Sequence, residues 1–364
     1  MKDIARLTLE EKVGQLFFVG FQGFQPDAES ADILGHIRPG GIVFLQRNIE
    51  SLDQIYNLNL RFQSESNVPL FLAINHEGGS LDRLKHVIAP IPSVADLADV
   101  GTAAVRSGAR LIAAELEAAG FNMNMAPVLD LGLPDSIVRE RTLGAGAAEV
   151  ARLGRVVIEE FHRKKILSCA RHFPGLGGAV RDPHFTLPRI ERTRRELLVE
   201  DVVPFDSLSA ELDLMMVSNG HYPGLGDIRP VPASLSNRVV DGLLRKTVGF
   251  EGVIITDDLT MGAVTSTGLK PSTFLRALDA GNDMFLFSQT TPLLKSAFDY
   301  IVTAARAEAK IQQRIDESVE RILNRKERIE FAPLRYRPHM KARLSRQIAK
   351  LRDSIPTVEK IQVR

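Results

Sequence analysis

Three side chains in this sequence stand out for what their types and spacing could do together. Asp257 ends the apolar run Gly252-Val-Ile-Ile-Thr256. A carboxylate placed where a buried strand opens into a pocket is a candidate nucleophile or general base. Capping of the next helix, shared with Asp258, is the structural use of the same residue. Asp182 and His184 flank Pro183. The proline stiffens the pair, and a carboxylate holding an imidazole fixes its tautomer and raises its basicity, which makes a general acid/base. A turn carrying a surface histidine is the simpler reading of the same three residues.

Other ionisable residues cluster in the same way, each group directly after an apolar run. The clusters are Asn75-His76-Glu77-Gly78-Gly79, Asp130 followed by Arg139-Glu140-Arg141, Arg171-His172-Phe173-Pro174-Gly175, and Ser218-Asn219-Gly220-His221. A divalent ion held by His76, His172, His184, His221 and Asp130 is the competing reading. The spacings fit no ligand template, and Gly20-Phe21-Gln22 stands where a His-x-His pair would be expected, so no metal or other cofactor is expected. The Gly175-Leu176-Gly177-Gly178 stretch lacks the lysine of a phosphate-binding loop.

The apolar runs that position these residues read as strands at Leu16–Val19, Gly41–Phe44, Leu70–Ile74, Asn122–Pro127, Ile166–Ala170, Leu214–Val217, Val253–Thr256 and Asp283–Leu286. They are short and apolar on both faces, as strands of a helix-covered parallel sheet are. Between them, Glu50–Ser64, Val105–Ala119, Ala147–Lys165, Arg194–Leu208, Asn237–Thr247 and Ser272–Ala280 show helical spacing of apolar residues. Thr8-Leu-Glu-Glu11 has the form of a capping box before the first strand. This alternation predicts an α/β fold, a single (β/α)8 TIM-type barrel, whose chemistry gathers at the carboxyl ends of its strands. Every cluster named above falls at such an end. The connection from His172 to Pro188 is long for a barrel loop, as functional loops are.

Composition narrows the function classes. The 364 residues are 44% hydrophobic and 25% charged, which excludes a mostly disordered chain. Lys and Arg (46) balance Asp and Glu (45), so no overall field favours nucleic acid or anionic lipid. One cysteine, Cys169, excludes an internal disulfide framework. The apolar stretch Val13–Phe21 is interrupted by Gly14, Gln15 and Gly20 and is far short of the ~20 residues that span a bilayer. A cytoplasmic protein with no membrane partner is expected. Residues 1–330 are assigned to the barrel and 331–364 to a basic C-terminal tail or helix, where Arg335, Arg337, Lys341, Arg343, Arg346, Lys350, Arg352, Lys360 and Arg364 face only Asp353 and Glu359. A solvated helix lying on the barrel is the expected use, and an acidic partner the alternative.

Taken in order, LTLEEKVGQLF, GGIVFL, NHEGG with Arg83, NMAPVLD, RERTLG, RHFPG, DPH, LP, PASLS and GFEGVIITDDLTM resemble glycoside hydrolase family 3, within it the β-N-acetylhexosaminidases that recycle peptidoglycan. The resemblance runs from about Leu7 to Asn324. It implies that Asp257 is the nucleophile forming a covalent glycosyl-enzyme, His184 the acid/base and Asp182 its dyad partner. It further implies that Asn75, Arg83, Arg141, Arg171 and His172 contact the sugar. The expected reaction releases a terminal β-linked N-acetylhexosamine, with N-acetylglucosamine from a muropeptide-type substrate the first expectation and no cofactor. To reach the glycosidic oxygen, the loop 176–186 is expected to swing. Four positions depart from the family pattern: Asn75 replaces an aspartate, Arg171 a lysine, Leu176 a histidine and Ser80 an arginine. Loss of one charge-assisted bond costs about 1.5–3 kcal/mol, so altered sugar recognition is expected. A phosphorylase, a β-glycosidase of other specificity, and a sugar-binding barrel without turnover are the alternatives.

Overall fold

In a computed structural model, which describes residues 4–227, 229–329 and 339–355, eight parallel strands run around one core. They are β1 Phe17–Val19, β2 Gly41–Phe44, β3 Phe71–Ile74, β4 Met123–Asn124, β5 Leu167–Phe173, β6 Leu214–Val217, β7 Val253–Thr256 and β8 Phe285–Phe287. Their spatial order is sequential, with β8 beside β1. A parallel bridge between Ile255 and Met284 brings β7 to β8 and closes the cylinder. The eight strands fall where the apolar runs predict, and the architecture is the (β/α)8 barrel.

Two strands differ by more than one residue in length from the predicted runs, for a visible reason. β4 stops at Asn124 because that side chain takes over the ladder. Its Oδ1 accepts from the His76 amide at 3.0 Å, and its Nδ2 donates to the His76 carbonyl at 2.8 Å. β5 runs on through Arg171 and His172, carried by bonds from Arg171 N to Pro127 O (3.1 Å) and from Leu129 N to Arg171 O (2.8 Å). Two candidate sugar contacts therefore sit on the sheet itself, not on the loop beyond it.

The helices follow from local signals. Thr8 and Glu11 form the reciprocal capping box, with bonds of 3.0 and 3.2 Å. The segment 194–208 is broken: Val202 N bonds to Leu197 O in a wide turn, and Pro204, which has no amide hydrogen, opens the following helix Val203–Leu208. Helices at Ala28–Ile37, Val94–Val100, Pro292–Ala307 and Ala309–Lys326 add to those predicted. Among the described residues no helix is long and apolar enough to cross a membrane.

Aromatic packing fills the barrel wall near β1 and β8, where Phe17, Phe274 and Phe285 meet with centroids 5.6–5.8 Å apart. Such pairs contribute about 0.5–1.5 kcal/mol each beyond the area they bury. The helix His339–Asp353 lies on the helix Thr102–Ala118, burying Leu344, Ile348 and Leu351. Its Ser345 hydroxyl accepts from the Ala89 amide at 3.3 Å. Arg335, Arg337, Lys360 and Arg364 of the basic segment lie outside the described residues.

Candidate active site

The two ends of the barrel treat buried charge differently. At the amino end, Asp283 accepts from Arg245 (2.7 Å), Ser318 (2.7 Å) and Arg321 (3.1 Å). Asp213 there bonds His162 (2.7 Å), the Ser168 amide (3.0 Å) and Arg328 (2.8 Å). Both carboxylates are saturated and serve stability. At the carboxyl end Asp257, 4% exposed, is not saturated. Its amide extends the ladder to Val217 O (2.8 Å), and Oδ1 accepts from the Asp258 amide at 2.8 Å. Oδ2 is buried and makes no hydrogen bond. Leaving such an atom bare costs on the order of 1–3 kcal/mol, and the oxygen is free for another partner.

Asp258 takes the structural role. Its Oδ1 accepts from the amides of Thr260 (2.9 Å) and Ser288 (3.3 Å), closing the turn beyond β7 and tying it to β8. Burial pushes its carboxyl up in spite of these bonds.

Opposite lies a group the sequence reading left without a role. Glu77 accepts both arms of Arg141, at 3.0 Å each, and a bond from Arg171. Burial pushes the Glu77 carboxyl up, but the two guanidinium groups outweigh it and hold it at about 2. Arg141 and Arg171 are thus fixed by one carboxylate, and both feel the Asp257 charge as well. The signal for Glu77 is charge balance, since Arg171, buried, and Arg83 and Arg141, partly buried, need an acid among them. Arg83 stands apart: its Nε donates to Asn75 Oδ1 (3.1 Å) and to the Asn75 carbonyl (3.3 Å).

The histidines divide by partner. His172 Nδ1 lies 2.7 Å from Asp130 Oδ2, which leaves its Nε2 for the pocket. Asp130 also accepts from the Leu176 amide at 2.6 Å, so it anchors the start of the long loop while the Leu176 side chain is buried. His76 is fully buried and engaged with Glu115 at 2.8 Å. Among the described residues no three His, Cys, Asp or Glu side chains gather as a metal ion requires.

Asp182 and His184 meet through Nδ1 and Oδ1 at 2.7 Å, and the His184 amide donates to the same oxygen at 2.8 Å. Burial pushes the Asp182 carboxyl up, yet the His184 bonds and the Arg141 charge bring it below the ordinary value. The imidazole is 64% exposed and makes no bond to Asp257. Its loop, however, is docked beside that residue. Gly262 N donates to His184 O and Ala263 N to Pro183 O, both at 3.0 Å, on the turn that follows Asp257. Asn219 steadies the same turn by donating to Asp258 O at 2.8 Å, and it accepts from Ser234 at 2.6 Å.

The chain is similar to known proteins over most of its length. Residues 8–325 match the Glycosyl hydrolase family 3 N terminal domain. A β-hexosaminidase of Idiomarina loihiensis is 32% identical over 273 residues, 74% of this chain and 82% of that protein. Among solved structures, a glycoside hydrolase family 3 β-N-acetylglucosaminidase from a Paenibacillus species is 31% identical, with a TM-score of 0.84 over 95% of this chain and 69% of that one. The β-N-acetylhexosaminidase of Beutenbergia cavernae is 25% identical, with a TM-score of 0.80 over 89% and 99% of the two chains. Because the match begins at the capping box of the first helix and ends inside the last helix of the barrel, the chain belongs to glycosyl hydrolase family 3.

Proposed function

We propose that this chain is a retaining β-N-acetylhexosaminidase in which Asp257 is the nucleophile and His184 the acid/base. The bare Oδ2 of Asp257 carries the proposal. A buried carboxylate with one oxygen held by a backbone amide and the other free is oriented to attack an anomeric carbon. In the first step Asp257 bonds to that carbon while the imidazolium of His184 gives its proton to the departing oxygen. In the second, neutral His184 takes a proton from water, and the water oxygen displaces the aspartate with configuration retained. Asp182 keeps the imidazole in one tautomer and stabilises its charged form.

Arg141 and Arg171, locked by Glu77, are the groups that hold sugar oxygens, with Nε2 of His172 beside them. Because His184 stands in solvent, the loop 176–186 must swing inward for turnover, which excludes water as it closes. A cytoplasmic setting and a muropeptide-derived N-acetylglucosaminide belong to the same proposal. The unpaired, buried Cys169 suits a reducing compartment.

An aryl β-N-acetylglucosaminide tests the reading. Release of the phenol by the wild type and its loss in Asp257→Ala, by about 10³-fold or more, is the expected result. Equal release by both proteins removes Asp257 from the chemistry.

A further inference from the structure

The pocket holds three arginines, and the acids beside them are unevenly shared. Glu77 is spent on Arg141 and Arg171, and Asp257 acts on the same two. Arg83 has no carboxylate within ion-pair distance among the described residues; its acceptors there are the amide and carbonyl oxygens of Asn75, both neutral. The adjacent Asp82 is turned away, accepting from the amides of Ile91 (2.7 Å) and Leu84 (3.0 Å). Burial and the like charge of Arg171 lower the Arg83 guanidinium to about 10, against the smaller pull of Glu77. A partly buried cation beside another cation, with neutral acceptors alone, gains from an incoming anion.

Asn75 sharpens this. An arginine only donates, so the amide oxygen must face it, and Nδ2 is left with two hydrogens and no bond among the described residues. The tip of β3 therefore presents donors: Asn75 Nδ2 and the terminal nitrogens of Arg83. A sugar hydroxyl accepts one such bond without answering the charge. A carboxylate or a sulfate ester accepts several and neutralises it.

We infer that Asn75 and Arg83 form a subsite for an anionic substituent, a carboxylate or sulfate ester, on the terminal sugar, so that the enzyme prefers acidic glycosides over the neutral N-acetylglucosaminide named above. This rests on the glycosidase reading above for its placement at the sugar site. Its test has a binding arm that needs no turnover. Calorimetric titration compares N-acetylglucosamine, its 6-O-sulfate and D-glucuronate in the wild type, in Asn75→Asp and in Arg83→Gln. The wild type is expected to bind at least one acidic sugar about tenfold or more tightly than the neutral one, and the tighter of the two acids identifies the group. Asn75→Asp, which gains an ion pair with Arg83 and so keeps its fold, is expected to reverse that order. Arg83→Gln is expected to abolish it.

The corresponding aryl glycosides give the second arm, where kcat/KM should follow the same order. Equal or tighter binding of the neutral sugar by the wild type overturns the proposal, as does an acid preference that survives in Asn75→Asp. Acid-selective binding with no release from any glycoside upholds the subsite and overturns the glycosidase reading.

Discussion

The amide of Gly262 donates to the carbonyl oxygen of His184 over 3.0 Å, joining the loop after β5 to the turn after β7. Through this bond the two groups proposed to share one reaction ride on segments that touch. The approach leaves no room for a side chain: a Cβ on Gly262 would lie 2.4 Å from the Phe185 carbonyl oxygen. Gly262→Ala is therefore expected to push the dyad loop outward. The proposed inward swing of the loop starts from this docked position, and misplacing His184 in the closed site by about an ångström costs on the order of 100-fold in rate. The expected result is a large fall in kcat with the melting temperature little changed, measured on an aryl glycoside and by calorimetry.

Glu77 makes the arginine pair a source of acid sensitivity. Its carboxyl is held at about 2, below the ordinary carboxylate value. The stabilisation it gives is fully present above the unfolded value, about 4.3, and is lost as pH falls through about 2. The contribution is on the order of 3 kcal/mol. Glu77→Gln, which leaves two guanidinium groups uncompensated, should lower the melting temperature at pH 7 and flatten its dependence on pH between 2 and 4. A variant that melts like the wild type at neutral pH contradicts the assignment.

Asp201 works with the opposite sign. Burial pushes its carboxyl up to about 6 although Arg192 holds Oδ2 at 2.8 and 2.9 Å. Oδ1 is buried without a bond, and a Cβ on Gly175 would come within 2.8 Å of the Asp201 Cβ. The residue therefore packs under the root of the dyad loop. A carboxyl raised on folding contributes stability that is complete below its unfolded value, about 4, and is lost as pH rises through about 6. Asp201→Asn should remove the decline in melting temperature across that window. An unchanged decline would assign it to another group.

The barrel was legible because eight apolar runs, each four to six residues long, can be satisfied only by strands buried on both faces. The Asp182–His184 bond was legible as one of two readings, the other a turn with an exposed histidine, and the structure combines them: the bond forms while the imidazole stays exposed. What stayed hidden depended on contacts between distant strands. Nothing near Glu77 in the sequence shows that it binds Arg141 and Arg171, 64 and 94 positions away. The extension of β5 through Arg171 was hidden for the same reason, as its ladder partners Pro127 and Leu129 lie on another strand. The amino-end acids looked unremarkable in sequence, and only the fold shows Asp213 and Asp283 saturated while Asp257 is not.

The nucleophile can be read directly by trapping it. A fluorinated N-acetylglucosaminyl donor, activated for the first step and slow in the second, is incubated with the protein and the peptides are mapped by mass spectrometry. The account predicts one glycosyl adduct, on Asp257, and none in Asp257→Ala. An adduct on another residue, or rapid turnover of the donor by Asp257→Ala, would contradict it.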